Sequence, residues 1–431
     1  MNMATFATIT LGCKVNTYET KRYEEGLLAL GYTQVESKAY ADIYIINTCA
    51  VTNTAASKSR QMIHRVKAIN PDALTAVVGC YAQMESEKLI EEGVDVLIGS
   101  AHKDQLPQMI HDAYTMHRKT HVVEAIRSIR AFEALPIHRF QHQTRAYLKV
   151  QDGCNQFCTY CIIPFTRGAE RSLPLQQALG IAEELVHNGH REIVLSGIHT
   201  GRYGRDIGTD LETLISALCT IEGLQRIRIS SIEINEISDR LIALMEKEPK
   251  IARHLHIPLQ SGSDEVLARM GRPYDTQQFE KRVEMIRSKI PDVSISTDVI
   301  VGFPMESEEA FAETLCTCKR VGFSFLHVFP YSKRSGTKAA SMDGQIKGDV
   351  KKARAKALIT LSEELLLAYK KQFIGKTLSV LFERVQDGIA IGHSSEYLQV
   401  GADASLVSKF CDVSITHLSK EGILIGNAKE V

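Results

Sequence analysis

The chain has 431 residues, 44% hydrophobic and 24% charged, with 51 basic and 51 acidic side chains. That length exceeds one hydrophobic core and implies two to four domains. Zero formal net charge gives no global attraction to nucleic acid or membrane, so any polyanion must meet a local patch. No basic start followed by an apolar core reads as a secretory signal, and no run of about 18 apolar residues could span a bilayer. Ten cysteines without such a signal point to reduced thiols in a cytoplasmic protein.

In chain order, Phe6 to Leu11, Asp42 to Ile46, Leu74 to Val78 and Val94 to Ile98 read as strands. Glu19 to Leu30, Thr54 to Ile69 and Glu85 to Glu91 carry helical spacing between them. The alternation predicts an α/β, doubly wound parallel sheet over residues 1–116. Residues 117–145 read as a linker with a basic surface: Arg118, Lys119, Arg127, Arg130, Arg139 and Arg145 against Glu124 and Glu133.

Over 146–370 six strands recur with intervening helices: Tyr147–Gln151, Glu192–Ser196, Arg226–Ser231, His254–Leu259, Ser294–Val301 and Phe325–Pro330. They fit a partial (β/α)6 barrel whose chemistry lies at the strands' C-terminal ends. Lys351 to Gln372 follows as one long amphipathic helix. From 371 to 431 the pattern turns to period two with glycine turns, which predicts a small antiparallel β-barrel.

The cysteines carry the chemistry. Cys154, Cys158 and Cys161 form C-x3-C-x2-C after the first barrel strand. Three thiolates so placed can hold three irons of a [4Fe–4S] cube and leave the fourth open to a small molecule. Zinc is the rival, and no fourth ligand follows locally. Cys13, Cys49 and Cys80 each end an apolar strand, so a parallel sheet would bring them to one rim. Topology alone leaves a second metal site and three buried thiols near parity. Cys219 and Cys316, in helical stretches, read as packing residues, and Cys318 and Cys411 match no motif.

The run Gly153-Cys154-Asn155-Gln156-Phe157-Cys158-Thr159-Tyr160-Cys161-Ile162-Ile163-Pro164, then Arg167-Gly168, resembles the radical S-adenosylmethionine (SAM) superfamily. More narrowly it resembles the methylthiotransferases, as do Leu11-Gly12-Cys13-Lys14-Val15-Asn16, Asn47-Thr48-Cys49-Ala50-Val51 and Gly79-Cys80-Tyr81-Ala82. The resemblance implies two [4Fe–4S] clusters on these six cysteines, with S-adenosylmethionine on the open iron of the Cys154/Cys158/Cys161 cube. It further implies cofactor contacts at Ser196, Gly197, Glu233, Gln260, Ser261, Arg272, Asp298 and Gly302. Met270, Arg272 and Tyr274 match the family's M-x-R-x-Y stretch, while Met305 stands where the family usually has Gly, which puts that turn in question.

The tail from Phe373 to Ala428 resembles a TRAM domain, which in relatives binds RNA, although Lys371 to Val431 holds six basic and seven acidic residues. Lys14-Val15-Asn16 is most similar to enzymes that methylthiolate C2 of N6-threonylcarbamoyladenosine in tRNA. Isopentenyladenosine in tRNA and a ribosomal-protein aspartate are the alternatives within the family. An RNA-binding iron–sulfur electron-transfer or cluster-carrier protein is the alternative from another class. The implied partners are tRNA and a flavodoxin- or ferredoxin-like electron donor. The sulfur donor is left open and a monomer is the default.

Overall fold

The computed structural model describes residues 4–137 and 144–428. Its first body contains β1 (Thr5–Thr10), α1 (Lys14–Ala29), β2 (Thr33–Gln34), β3 (Ile43–Thr48), α2 (Asn53–Ile69) and β4 (Leu74–Gly79). There follow α3 (Cys80–Met84), α4 (Ser86–Glu91), β5 (Val96–Ile98), α5 (Leu106–Met116) and β6 (Thr120–Val122). All six strands are parallel, in the order β2-β1-β3-β4-β5-β6.

β3 and β4 are buried along their whole length because each sheet face has its own helix layer. Ile43 and Ile45 pack with Tyr23 and Leu27 of α1 and Ile110 of α5. Tyr44 and Ile46 pack with Ile63 and Val66 of α2 and Leu89 of α4. Each fully buried aliphatic side chain contributes about 1.5–3 kcal/mol, which is why these strands read as unbroken apolar runs. The chain leaves β1 toward one edge and β3 toward the other, so a crevice opens between their C-terminal ends.

The sheet extends further than the sequence indicated. β6 comes from the segment read as linker, and Leu135 and Ile137 of that segment are buried in the core of the next body. Arg139 lies outside the described residues. Arg145 is no surface residue, because it opens the first barrel strand and pairs with Glu383 at 3.0 Å. Among the described residues the expected basic surface narrows to Arg118, Lys119, Arg127 and Arg130, all exposed.

The second body runs through β7 (Arg145–Lys149), β8 (Gln151–Asp152), α6 (Ile163–Thr166), β9 (Arg171–Ser172), α7 (Leu175–His187), β10 (Glu192–Ser196), α8 (Leu211–Cys219) and β11 (Arg226–Ile229). It continues with α9 (Asp239–Lys247), β12 (His254–His256), α10 (Asp264–Met270), α11 (Thr276–Lys289), β13 (Ser294–Val301), α12 (Glu308–Val321), β14 (Phe325–Pro330) and α13 (Gly348–Lys371). β7-β10-β11 and β12-β13-β14 are two parallel three-stranded arcs, joined by a bridge between Ile227 and Ile251. Ile193, Leu195, Ile227 and Ile229 face the helices, which leaves the alternate, polar positions for the lumen.

The tail forms a closed barrel from β15 (Thr377–Gln386), β16 (Ile389–Ser394), β17 (Gln399–Asp403), β18 (Phe410–Leu418) and β19 (Leu424–Ala428). Every pairing is antiparallel except β17 with β19. It seals the N-terminal floor of the larger barrel. Arg226 donates to the carbonyls of Ser379 (2.7 Å) and His393 (3.2 Å), and Arg228 to those of Ser394 (2.9 Å) and Ser395 (3.0 Å). No described helix is long and apolar enough to cross a membrane.

Candidate active site

The first three cysteines meet at the crevice. Cys13 caps α1, Cys49 follows β3, and Cys80 opens α3. Gly12 (φ +103°) lets β1 turn beside Cys49, since a Cβ there would lie 2.8 Å from the Cys49 Cβ. Gly79 (φ +103°) does the same at β4, where a Cβ would lie 2.7 Å from the Thr48 carbonyl. Asn16 Nδ2 donates to the carbonyls of Leu11 (2.7 Å) and Thr48 (3.1 Å), which ties the first loop to the second. Thr48 Oγ1 donates to Val78 O at 2.6 Å and ties the second to the third. Burial, then the neighbouring Cys80, pushes the Cys49 thiol up to about 11. Cys13 is also raised by the protein crowded around it, against Arg167 and together with Cys80, although one edge stays open to solvent.

The second set lies in the loop after β8. Gly153 (φ +74°) is obligatory, because a Cβ would fall 1.9 Å from the Ala169 carbonyl. Cys154 Sγ lies 3.3 Å from His199 Nδ1, whose Nε2 is 2.9 Å from Glu236. Burial would lower the His199 pKa, but its bonds to Cys154 and Glu236 carry it up to about 10. Cys158 Sγ receives Arg272 Nη1 at 3.2 Å, and Arg272 also pairs with Glu233 and meets Tyr274 Oη at 3.1 Å. Burial raises Glu233, with Arg272 opposing. Burial raises the Cys161 thiol to about 12, with Cys158 and Cys154 adding to it.

One buried arginine ties the crevice to the second loop. Arg167, just after the second loop, donates Nε to Cys80 Sγ at 3.3 Å. Its Nη1 reaches Glu19 Oε1 (2.6 Å) and Asp152 Oδ2 (3.4 Å), and its Nη2 reaches Asn16 Oδ1 (2.6 Å). Lys149 and Lys103 bind the same Glu19 oxygen at 3.1 Å and 2.8 Å, and Lys149 also pairs with Asp152 at 2.7 Å. Burial alone would raise Glu19, but Arg167, Lys103 and Lys149 hold it below the ordinary carboxylate range. Asp152 is held well below its range, against burial, by Lys149, Arg167 and Arg171.

The expected cofactor contacts divide. Ser196 and Gly197 end β10 beside Gln151, and a Cβ on Gly197 would sit 3.0 Å from the Gln151 Cβ. Glu233 and Arg272 lie beside Cys158, as above. Gln260 takes a left-handed φ of +67° and its amide donates to Asp298 O at 2.9 Å. Asp298 Oδ1 lies 3.3 Å from His256 Nε2. Two positions are engaged elsewhere. The Ser261 hydroxyl meets Thr314 Oγ1 (3.3 Å) and accepts from Ser263 N (3.3 Å), which serves its own turn. Gly302 turns its open side to Lys351 and donates its N–H to Glu306 at 2.9 Å.

Met305 adopts φ +63°, the left-handed conformation a glycine favours, so the turn survives the substitution. Cys219 is half-buried and packs against the barrel core, as expected, but Cys316 is exposed on the outer face of α12, where the buried cysteine is Cys318. Sequence reasoning assigned no role to Arg167, Glu19, Lys149, Asp152, His199 or Glu236. A lysine inside an apolar strand was the readable sign at Lys149, since buried charges need partners.

The sulfur donors fit iron–sulfur clusters. Burial raises two thiols in each set, Cys13 and Cys49 in the first and Cys158 and Cys161 in the second, and a bound metal would stabilise them as thiolates. The structure also supplies partners to Cys154 that local sequence lacked: Glu170 and His199 offer ligand atoms within 4.8 Å. Both are already committed, Glu170 to Arg202 at 2.9 Å and His199 to Glu236.

Comparison with known proteins agrees with this geometry. Residues 148–316 match the Radical SAM superfamily, and residues 5–99 match Uncharacterized protein family UPF0004. In fold the chain is similar to the radical S-adenosylmethionine methyltransferase TsrM of Kitasatospora setae (TM-score 0.58, 11% identity, 79% of this chain and 77% of that one). The class is therefore a radical SAM protein with an added cysteine-bearing α/β domain.

Among curated relatives, threonylcarbamoyladenosine tRNA methylthiotransferase MtaB of Bacillus subtilis is 42% identical over 406 residues, 92% of this chain and 90% of the relative. MtaB of Thermotoga maritima is 36% identical over 98% and 96%. A tRNA-2-methylthio-N(6)-dimethylallyladenosine synthase of Thermoanaerobacter is 34% identical over 98% and 92%. The chain belongs to the methylthiotransferase family of radical S-adenosylmethionine enzymes.

Proposed function

We propose that the chain transfers a methylthio group to C2 of N6-threonylcarbamoyladenosine in tRNA, using two [4Fe–4S] clusters and S-adenosylmethionine. The observation that carries this reading is a three-cysteine crevice tied, through Arg167 at Cys80, to the loop that bears the second three cysteines, in a chain 42% identical to MtaB. Cys154, Cys158 and Cys161 would hold one cluster and Cys13, Cys49 and Cys80 the other, each leaving one iron open. When bound, these groups supply one-electron cleavage of the sulfonium and a sulfur that can be methylated and passed on. An aryl C–H has no useful acidity, so a side-chain base offers no route.

The protein's own part is placement. Arg167, Asn16 and Glu19 lock the crevice against the second loop, which fixes the approach of one sulfur set to the other. His199 and Arg272 aim hydrogen bonds at Cys154 and Cys158, the kind of contact that tunes a bound cluster. Ser196, Gly197, Glu233, Gln260, Arg272 and Asp298 would receive the cofactor. Ser261 and Gly302 would shape the turns beneath it.

The same proposal divides the chain into a cluster domain, a radical domain and a terminal barrel, with the first unit carried on to Val122. It includes a flavodoxin- or ferredoxin-like electron donor and a monomeric, cytoplasmic enzyme. Mass spectrometry of tRNA nucleosides from cells lacking the gene tests the substrate. Loss of the methylthio form of threonylcarbamoyladenosine is expected. Loss of a methylthio dimethylallyladenosine instead, or of neither, contradicts it.

A further inference from the structure

The lumen between the crevice and the barrel floor is lined by cations and imidazoles. The Arg228 guanidinium lies 4.9 Å from the Tyr397 ring and that of Arg145 lies 5.7 Å from it. His254 packs on Tyr397 with ring centroids 4.9 Å apart, and His256 lies 5.4 Å from His327. Tyr397 is nevertheless 38% exposed, and His327 is exposed as well, so open space remains among these groups.

Most of the wall's charge is committed. Arg145 pairs with Glu383, Arg228 with Glu192 (3.0 Å), and Asp298 with His256. Lys14 differs. It follows Cys13 at the start of α1, its side chain is exposed, and it forms no ion pair or hydrogen bond among the described residues. Its electrostatic neighbours are Tyr397, Arg145, Arg228 and Cys13, and it acts in turn on His254 and His327. An exposed ammonium with no anion paired to it among the described residues is free to take an incoming one, and the cations around it strengthen that attraction.

We propose that Lys14 reads the carboxylate of the threonyl group on the target adenosine and so sets substrate choice. This rests on the function proposed above. Threonine attached through its nitrogen keeps its carboxylate, the only formal negative charge on the modified base. A base whose C2 meets a sulfur at Cys13, Cys49 and Cys80 hangs its N6 substituent in the adjoining space, where Lys14 stands. A dimethylallyl substituent is apolar and uncharged, and would leave the ammonium unpaired. A site built for a polar group rejects the analogue that lacks it more strongly than an apolar pocket discriminates by size.

The test is equilibrium binding of anticodon stem-loop RNAs to the cluster-reconstituted protein without S-adenosylmethionine, so that no turnover occurs. The RNAs carry threonylcarbamoyladenosine, its carboxamide, or dimethylallyladenosine. Wild type should favour the carboxylate over the carboxamide by about tenfold, as a charge-assisted bond implies. Lys14→Gln should abolish that preference while Lys14→Arg keeps most of it, with iron content and melting temperature unchanged in both. A preference that survives Lys14→Gln, or no preference in wild type, overturns the inference. Failure of the reconstituted wild type to methylthiolate the threonylcarbamoyl RNA would instead overturn the proposed function, a result the binding arm does not produce.

Discussion

Two buried arginine–carboxylate clusters stand at opposite ends of the barrel, and they do different work. At the floor, Arg226 and Arg228 embrace Glu192 and spend their remaining donors on carbonyls of the terminal barrel. That cluster is saturated and serves attachment. At the rim, Arg167 and Lys149 share Glu19 and Asp152, yet Arg167 still has an Nε for a cysteine sulfur. Counting Lys103 and Arg171, four cations there meet two carboxylates, an excess that suits thiolates and an anionic cluster. Similar chemistry therefore closes one end and primes the other.

The largest way to break this comparison is Arg167→Ala. It removes one of the two cations that Glu19 and Asp152 share, leaving them Lys149, Lys103 and Arg171, and should cost about 1.5–3 kcal/mol in denaturant unfolding. It should also abolish methylthiolation. Arg226→Ala should loosen the terminal barrel while iron content stays unchanged. If Arg226→Ala removes iron and Arg167→Ala does not, the roles assigned to the two ends are reversed.

A smaller effect sharpens the floor. Burial opposes it, but Arg228 and Arg226 lower Glu192 from 4.5 to about 2. A carboxylate depressed in the folded state contributes stability that is present above pH 4.5 and lost as pH falls toward 2. The stability gap between wild type and Glu192→Gln, followed by urea unfolding, should close across that window. A gap that is flat with pH contradicts the pairing. Smallest is Met305→Gly, which removes a left-handed side-chain conformation and should raise stability by about 0.5–1 kcal/mol, read as a small rise in melting temperature. A loss of stability would mean that Met305 packs usefully where it lies 54% exposed.

Much of this arrangement was legible in the sequence, for identifiable reasons. Strands buried on both faces, such as Ile43–Thr48, announce themselves as apolar runs, and Glu192–Ser196, Ser294–Val301 and Phe325–Pro330 fall at the predicted bounds. Cysteines at strand ends could be gathered by topology alone. The start of α1 was missed by five residues, because Asn16 and Glu19 are buried polar residues that blur the apolar stripe. β6 was read as linker since its three residues are only half-buried. The Arg167 network joins residues up to 151 positions apart, and no spacing rule reports such a contact. The docked floor was equally hidden, because near-neutral charge in the tail says nothing of which carbonyls meet Arg226 and Arg228.

The central claim is that Cys13, Cys49 and Cys80 bind a cluster of their own. Its most direct test is iron analysis and Mössbauer spectroscopy of the reconstituted Cys154→Ala/Cys158→Ala/Cys161→Ala protein. Wild type should hold about eight irons and this variant about four, still as a [4Fe–4S] cube. A variant that folds but holds no cube would contradict the account.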